Sequence, residues 1–493
     1  MVPRQDDSFA IFDSRPGHSD VFRFSFTVKI ALILLLSAII LLYFRTEFNV
    51  DEFAVALPVV SCCFIFLVFS LLLAKKTNTG IFGEIGFIYL VFSLAYTVVP
   101  AFTLISTGYK ILLGFDGQKV LILYPTAAEV ALHLWRHFIF ISGFALGYLV
   151  LRGSVSDNRL ICNDECNTYG FIIVFLILIM LACVLTLLLM SSPVNSYIDH
   201  YTRFNHLSWL SMRIVHVCLI IKSGGYFVLL SLMFSNYNKY KRWIFIIVPI
   251  MCIFETVYSY GSRIETLIVL LAFVGFYHFK SRMITIKKGV IYLLSLSVLF
   301  SGIELVRSAR GDMRDVSYYV ATEGIKSASE FGSVFNASFH LYSERADNSL
   351  PQREWQMFFH DITALIPFID HTTNHPEYWY ARNYFPNAVV PPQTMGVIAD
   401  SALWGGEIDL FVRSLINGIL FAILVRWFTV RRNKWWALTI YIYCYATCIM
   451  TLKYSVLWHL APFFRVLAPV LLLTSIVYRF QKFILYYKVK RYV

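Results

Sequence analysis

The chain has 493 residues, of which 58% are hydrophobic, 17% aromatic and only 15% charged, with a formal net charge of +12. A soluble protein carries about a quarter charged residues, so a string of soluble domains is excluded and one polytopic membrane domain is expected. The positive balance reads as Lys and Arg held on the cytoplasmic side of membrane spans. No basic stripe with base-stacking aromatics lies outside the apolar segments, which excludes nucleic acid as a partner.

Residues 1–27 form a polar tail of mixed charge. The first apolar run after it is too long for the h-region of a signal peptide, roughly 7–15 residues, so a retained first helix is expected. Runs of about 20 apolar residues then fall at 28–44, 53–74, 85–106, 127–151, 170–191, 213–234, 243–260, 264–280, 289–306, 409–428, 435–452 and 455–478. The fourth is interrupted by Glu129, His133, Arg136 and His137. The fold class expected is therefore an all-α polytopic membrane protein with about 12 transmembrane helices. With the N-terminus inside, the inner segments hold 23 Lys and Arg and the short outer loops about 6, which sets both termini in the cytoplasm.

That topology divides the chain into a cytoplasmic tail 1–27, spans 1–9 over 28–306, one large outer loop 307–408 between spans 9 and 10, spans 10–12 over 409–478, and a basic cytoplasmic tail 479–493. No internal repeat is evident, which weighs against a transporter of two inverted halves. The nine cysteines all fall in spans or on the inner side. Cys162-NDE-Cys166 lacks a second ligand pair nearby, so no metal and no cofactor is expected.

Ionisable residues inside spans are functional candidates or structural pairs. Here they are Lys222, Glu255, Arg263 with Glu265, Glu304, and Asp409 with Arg413. Lys222 and Glu255 suit a mutual bridge.

The outer loop opens on Arg307, Arg310 and Arg314, spaced for one helix face. Three guanidiniums so close need an anion between them, either the carboxylates Glu304, Asp312 and Asp315 or a phosphate. Trp355-QMFFHDITALIPF-Ile369 has helical apolar spacing and reads as an interfacial helix or a cap on the bundle. The stretch from His371 to Pro392 mixes Tyr378, Trp379, Tyr380, Arg382 and Asn383, which suits sugar rings or a lipid-headgroup belt equally. Pro391-Pro392 stiffens the chain ahead of an expected half-helix over 394–404. A kink at Gly405-Gly406 and then a span follow, with Asp400, Trp404 and Glu407 at the mouth.

This pattern resembles the Wzy-type oligosaccharide repeat-unit polymerases. The resemblance rests on the span count and late outer loop, the Gly261-Ser262-Arg263 turn, the Glu304-LVRSA-Arg310 exit, and the VPPQTMG…D…WGG stretch before a span. Such enzymes imply a metal-independent glycosyltransferase of the bacterial inner membrane, acting for O-antigen-like surface polysaccharide. Its donor would be a glycan on undecaprenyl diphosphate, its acceptor a repeat unit on the same lipid, and a chain-length regulator a further partner. By residue type the resemblance carries diphosphate binding to Arg263, Arg307, Arg310 and Arg382. The R-x10-G pattern of some members is absent after Arg382, where Gln393 takes the glycine's place. The proton acceptor expected is Asp400, then His375, with His371 and Glu407 as further candidates. Sugar contacts are expected at Tyr378, Trp379, Tyr380, Asn383 and Trp404. An O-antigen ligase, a flippase for lipid-linked oligosaccharides and a transferase using polyprenyl-phosphate monosaccharides are the alternatives.

Overall fold

In a membrane only a helix satisfies every backbone group of an apolar run from within, and the chain obeys that rule. The computed structural model describes residues 50–77, 80–116, 119–152, 169–189, 207–235, 237–258, 263–280, 284, 289, 330–353, 355–359, 375–387, 394–431, 434–453, 463–477 and 479. Its helices are α1 (Val50–Lys76), α2 (Ile85–Thr107), α3 (Ala127–Arg152), α4 (Tyr169–Leu189), α5 (Trp209–Ser235), α6 (Tyr237–Tyr258) and α7 (Arg263–Lys280). They continue with α8 (Glu330–Ala346), α9 (Trp355–Phe358), α10 (Pro376–Tyr384), α11 (Val397–Leu403), α12 (Glu407–Arg431), α13 (Trp435–Thr447) and α14 (Ile449–Lys453).

Among the described residues, seven segments are long and apolar enough to cross a membrane: Glu52–Lys75, Ile85–Thr107, Ala127–Arg152, Gly170–Leu189, Trp209–Ser235, Glu407–Arg431 and Trp435–Lys453. The protein is a helical membrane protein. Of the twelve expected spans, 28–44 lies outside the described residues, and so does 289–306 apart from Gly289. The expected spans at 243–260 and 264–280 are the helices α6 and α7, which are not among the seven. The last expected span is represented by the shorter apolar helix Phe463–Val477.

One element departs from the all-α expectation. Ile111–Asp116 (β1) and Lys119–Leu123 (β2) pair antiparallel, with Ile111 opposite Leu123 and Asp116 opposite Lys119. The sequence carries a signal for it: two apolar runs separated by the two residues Gly117-Gln118, with glycine at the first position of a two-residue loop. The hairpin is tied to α8 by the Asn336 amide, which donates to the Leu112 carbonyl at 2.9 Å.

Helices α3 and α12 approach each other closely. Gly143 and Gly147 of α3 face Ser414 and the Leu415 carbonyl, and Gly418 of α12 faces the Phe144 carbonyl. A Cβ on any of these glycines would overlap its partner, so the backbones meet through a small-residue seam of the kind that drives association in lipid. The two helices run parallel: Arg136 meets Glu407 near their starts, and Arg426 reaches the Leu151 carbonyl at 3.4 Å near their ends.

Beyond that far end, the Glu84 carboxylate accepts from Arg152 Nη2 at 2.6 Å, Arg152 Nε at 3.0 Å and Tyr148 Oη at 2.6 Å. Lys222 and Glu255, the pair suggested by their isolation in apolar runs, do bridge at 2.7 Å between α5 and α6, and both are buried.

Candidate functional site

The expected half-helix, kink and span are present as α11, a break at Trp404–Gly406, and α12. Gly406 has φ +65°, a conformation that strains any residue with a Cβ. Its amide donates to the Ser401 carbonyl at 2.8 Å, and its own carbonyl accepts from Leu410 at 2.9 Å. The chain thus leaves one helix and enters the next within three residues.

Two arginines brace this elbow. Arg345, at the end of α8, donates through Nη1 to the carbonyls of Ala402 and Trp404 at 2.8 and 3.1 Å. It thereby satisfies acceptors that the end of α11 leaves open. Arg413, from the second turn of α12, donates to Asp400 on α11 at 2.5 Å and to Asp409 at 2.7 Å. Asp400 is buried, so the pair staples the two helices across the break.

Further cations gather at the same place. Arg136 pairs with Glu407 at 2.9 Å and lies 4.0 Å from the centre of the Tyr342 ring. The Tyr342 hydroxyl lies 3.0 Å from Ser401 Oγ, and burial pushes its pKa up to about 12. Arg353 lies 5.6 Å from the ring of Trp404. Burial and the nearby Arg345 charge both push the Arg353 guanidinium below its ordinary range. Trp404 is in turn packed by Trp355, at 5.9 Å and near-parallel, and by Phe358, edge-on at 5.3 Å.

The charge balance is uneven. Arg136 holds Glu407, Arg413 holds both Asp400 and Asp409, and the Arg345 charge also acts on Glu407. Among the described residues neither Arg345 nor Arg353 has a carboxylate within ion-pair distance. Two mutually repelling guanidiniums therefore stand beside the start of a 25-residue helix, whose N-terminal dipole also favours negative charge. The arrangement is complementary to an anion, and phosphate oxygens match the guanidinium fork.

The residues singled out in the sequence distribute as follows. Asp400, Glu407 and Trp404 are all at the elbow, with Asp400 and Glu407 each ion-paired. The Asp400 side chain is 10% exposed and that of Glu407 49%. His375 caps α10, where its Nδ1 accepts from the Glu377 amide at 3.1 Å. On α10 Tyr378 is exposed, but Trp379 and Tyr380 are in the interior. The Trp379 indole donates to the Gln352 carbonyl, and the Tyr380 hydroxyl meets His340 Nδ1 at 2.8 Å. These two rings hold α10 against α8 and the chain before α9, so they present no face to a sugar here. Asn383 donates back to the Trp379 carbonyl, and Arg382 is exposed on α10. Arg263 opens α7, with its side chain outside the described residues, as are Arg307, Arg310 and His371 entirely.

Sequence reasoning missed Arg345 and Arg353, which lie in no span and no motif. It noted Arg136 only as a blemish in a span. It also missed Glu377, whose Oε1 accepts from the Met395 amide at 3.2 Å. Burial raises this carboxyl to about 7 against the opposing pull of Lys453. Comparison with protein families, with curated proteins and with solved structures gives no match.

Proposed function

We propose that this protein is a metal-independent membrane glycosyltransferase that polymerises oligosaccharide repeat units carried on undecaprenyl diphosphate. In this reading it has about 12 spans and sits in the bacterial inner membrane. Both termini are cytoplasmic, the 307–408 loop is periplasmic, and the product is an O-antigen-like surface polysaccharide. The observation that carries the reading is the Arg345–Arg353 pair, neither of them in an ion pair among the described residues, set beside an elbow of aromatic rings at the end of membrane helices. The parallel run of α3 and α12 supports the span count, since it requires an odd number of crossings between residues 152 and 407. The twelve-span layout places five there.

The reaction breaks the bond between the anomeric carbon and the diphosphate oxygen and forms a glycosidic bond to an acceptor hydroxyl. Negative charge grows on the departing diphosphate, where preorganised guanidiniums stabilise it most. The hydroxyl proton passes to a carboxylate. Glu407 suits this better than Asp400, because a base must touch the hydroxyl and Glu407 is the more exposed of the two. Arg136 then holds the Glu407 carboxylate in place.

The test uses purified protein in nanodiscs with lipid-linked repeat units, reading chain growth on gels. Arg353→Ala removes a guanidinium that holds no backbone carbonyl among the described residues, and is expected to lose long chains while the protein stays folded. Arg353→Lys recovers little if contact is bidentate. Full chain growth in Arg353→Ala refutes the site. In cells, loss of a polymerase leaves lipopolysaccharide bearing single repeat units, and loss of a ligase leaves bare core.

A further inference from the structure

The rings that pack on Trp404 are themselves uncovered. Trp355 is 74% exposed, Phe358 48% and Phe359 51%, while Met357 between them is buried. The segment thus turns one side into the protein and three large rings outward. Trp355 packs on Phe358 at 6.5 Å and Phe358 on Phe359 at 5.4 Å, so the rings form one contiguous surface.

Two observations say what covers it. The first is depth. Phe358 lies 6.0 Å from the guanidinium of Arg413, which reaches back along α12 to Asp409, the third residue of that helix. The segment therefore lies beside the first turns of a membrane-crossing helix. The second is continuity. Ile408, Val412 and Ile416 make an exposed apolar strip along α12, and Ile416 neighbours Arg413 at the helical spacing of three. The aromatic surface prolongs the strip that a membrane span must turn to lipid. Among its described side chains, the Trp355 indole N–H is the one hydrogen-bonding group it offers to the fringe of a sugar.

We propose that residues 355–359 are a membrane-surface anchor, with Trp355, Phe358 and Phe359 seated at the headgroup–acyl boundary of the leaflet that meets the first turns of α12. Rings of this kind partition to that level of a bilayer. Through Trp404 the bilayer then bears directly on the elbow. This holds whatever reaction the elbow performs.

The test places single spin labels at Trp355→Cys, Phe359→Cys, Ile408→Cys and Tyr378→Cys of the full chain, in nanodiscs of phosphatidylethanolamine and phosphatidylglycerol. The signal of the parent protein's own cysteines is subtracted. Collision with oxygen is compared with collision with a water-soluble nickel chelate. Labels at 355 and 359 are expected to favour oxygen severalfold and to sit near the depth of the label at 408, with 378 behaving as aqueous. A preference for nickel at both 355 and 359 overturns the anchor. Shielding from both reagents, with dipolar coupling between copies, also overturns it and assigns the face to a second copy. The Phe359 label keeps the test decisive if replacing Trp355 disturbs Trp404.

Discussion

Glu377 makes a prediction whose sign and size follow from its surroundings. Its side chain is 15% exposed, faces His375 at 4.0 Å and binds the Met395 amide. Burial moves its carboxyl from the ordinary 4.5 to about 7. The folded protein thus holds this proton more tightly than the unfolded chain. Its stabilising contribution is complete below pH 4.5, declines as pH rises, and is gone above about 7. At about 1.4 kcal/mol per pH unit the native state loses roughly 3 kcal/mol across that window. Glu377→Gln keeps an acceptor for the Met395 amide without the charge. It is expected to stabilise the contact of α10 with residues 394–396 by roughly that amount at pH 8 and not at all near pH 4.5. Hydrogen exchange of the Met395 and α10 amides, corrected for intrinsic rates, reads it directly. Roughly 3 kcal/mol corresponds to slowing by about a hundredfold. Equal slowing at both pH values, or faster exchange in the variant at pH 8, refutes the reasoning.

Lys222→Met leaves the Glu255 carboxylate buried without its ammonium and is expected to cost about 3–5 kcal/mol. Replacing both residues with Met restores most of it, as read by unfolding in detergent. Gly147→Leu forces a side chain into the Leu415 carbonyl and is expected to separate α3 from α12. A cysteine pair designed across that seam then fails to cross-link, although it links in the parent. Arg413→Lys cannot fork between Asp400 and Asp409, so protease cleavage near residue 404 is expected to quicken while expression is kept.

The parts of the fold that could be read from the chain were those with no alternative. Lys222 and Glu255 stand in apolar runs where each is the other's natural partner. The Gly405-Gly406 punctuation announced a broken helix, while Pro391-Pro392 lies outside the described residues. Arg345 and Arg353 were illegible because an arginine outside a span is ordinary until folding brings it to an elbow tens of residues away. Trp379 and Tyr380 misled for a related reason. An aromatic-rich loop looks like a binding platform, but a loop that folds into short helices needs rings for its own interior, and α10 uses these two to reach α8 and Gln352. The hairpin was passed over because its strands are as greasy as the spans beside them.

Helix α3 is pinned by ions at its tenth residue, Arg136 to Glu407, and at its last, Arg152 to Glu84, and is fused between them to α12 by backbone contact. A beam clamped in this way cannot bend or slide without breaking all three joints together. Arg136, Glu407 and Arg413 therefore share one welded unit at the elbow, and Arg345 meets them from α8. Gly406 is the last residue of the chain before it enters that unit, so the one backbone conformation a side chain would strain stands where the weld begins.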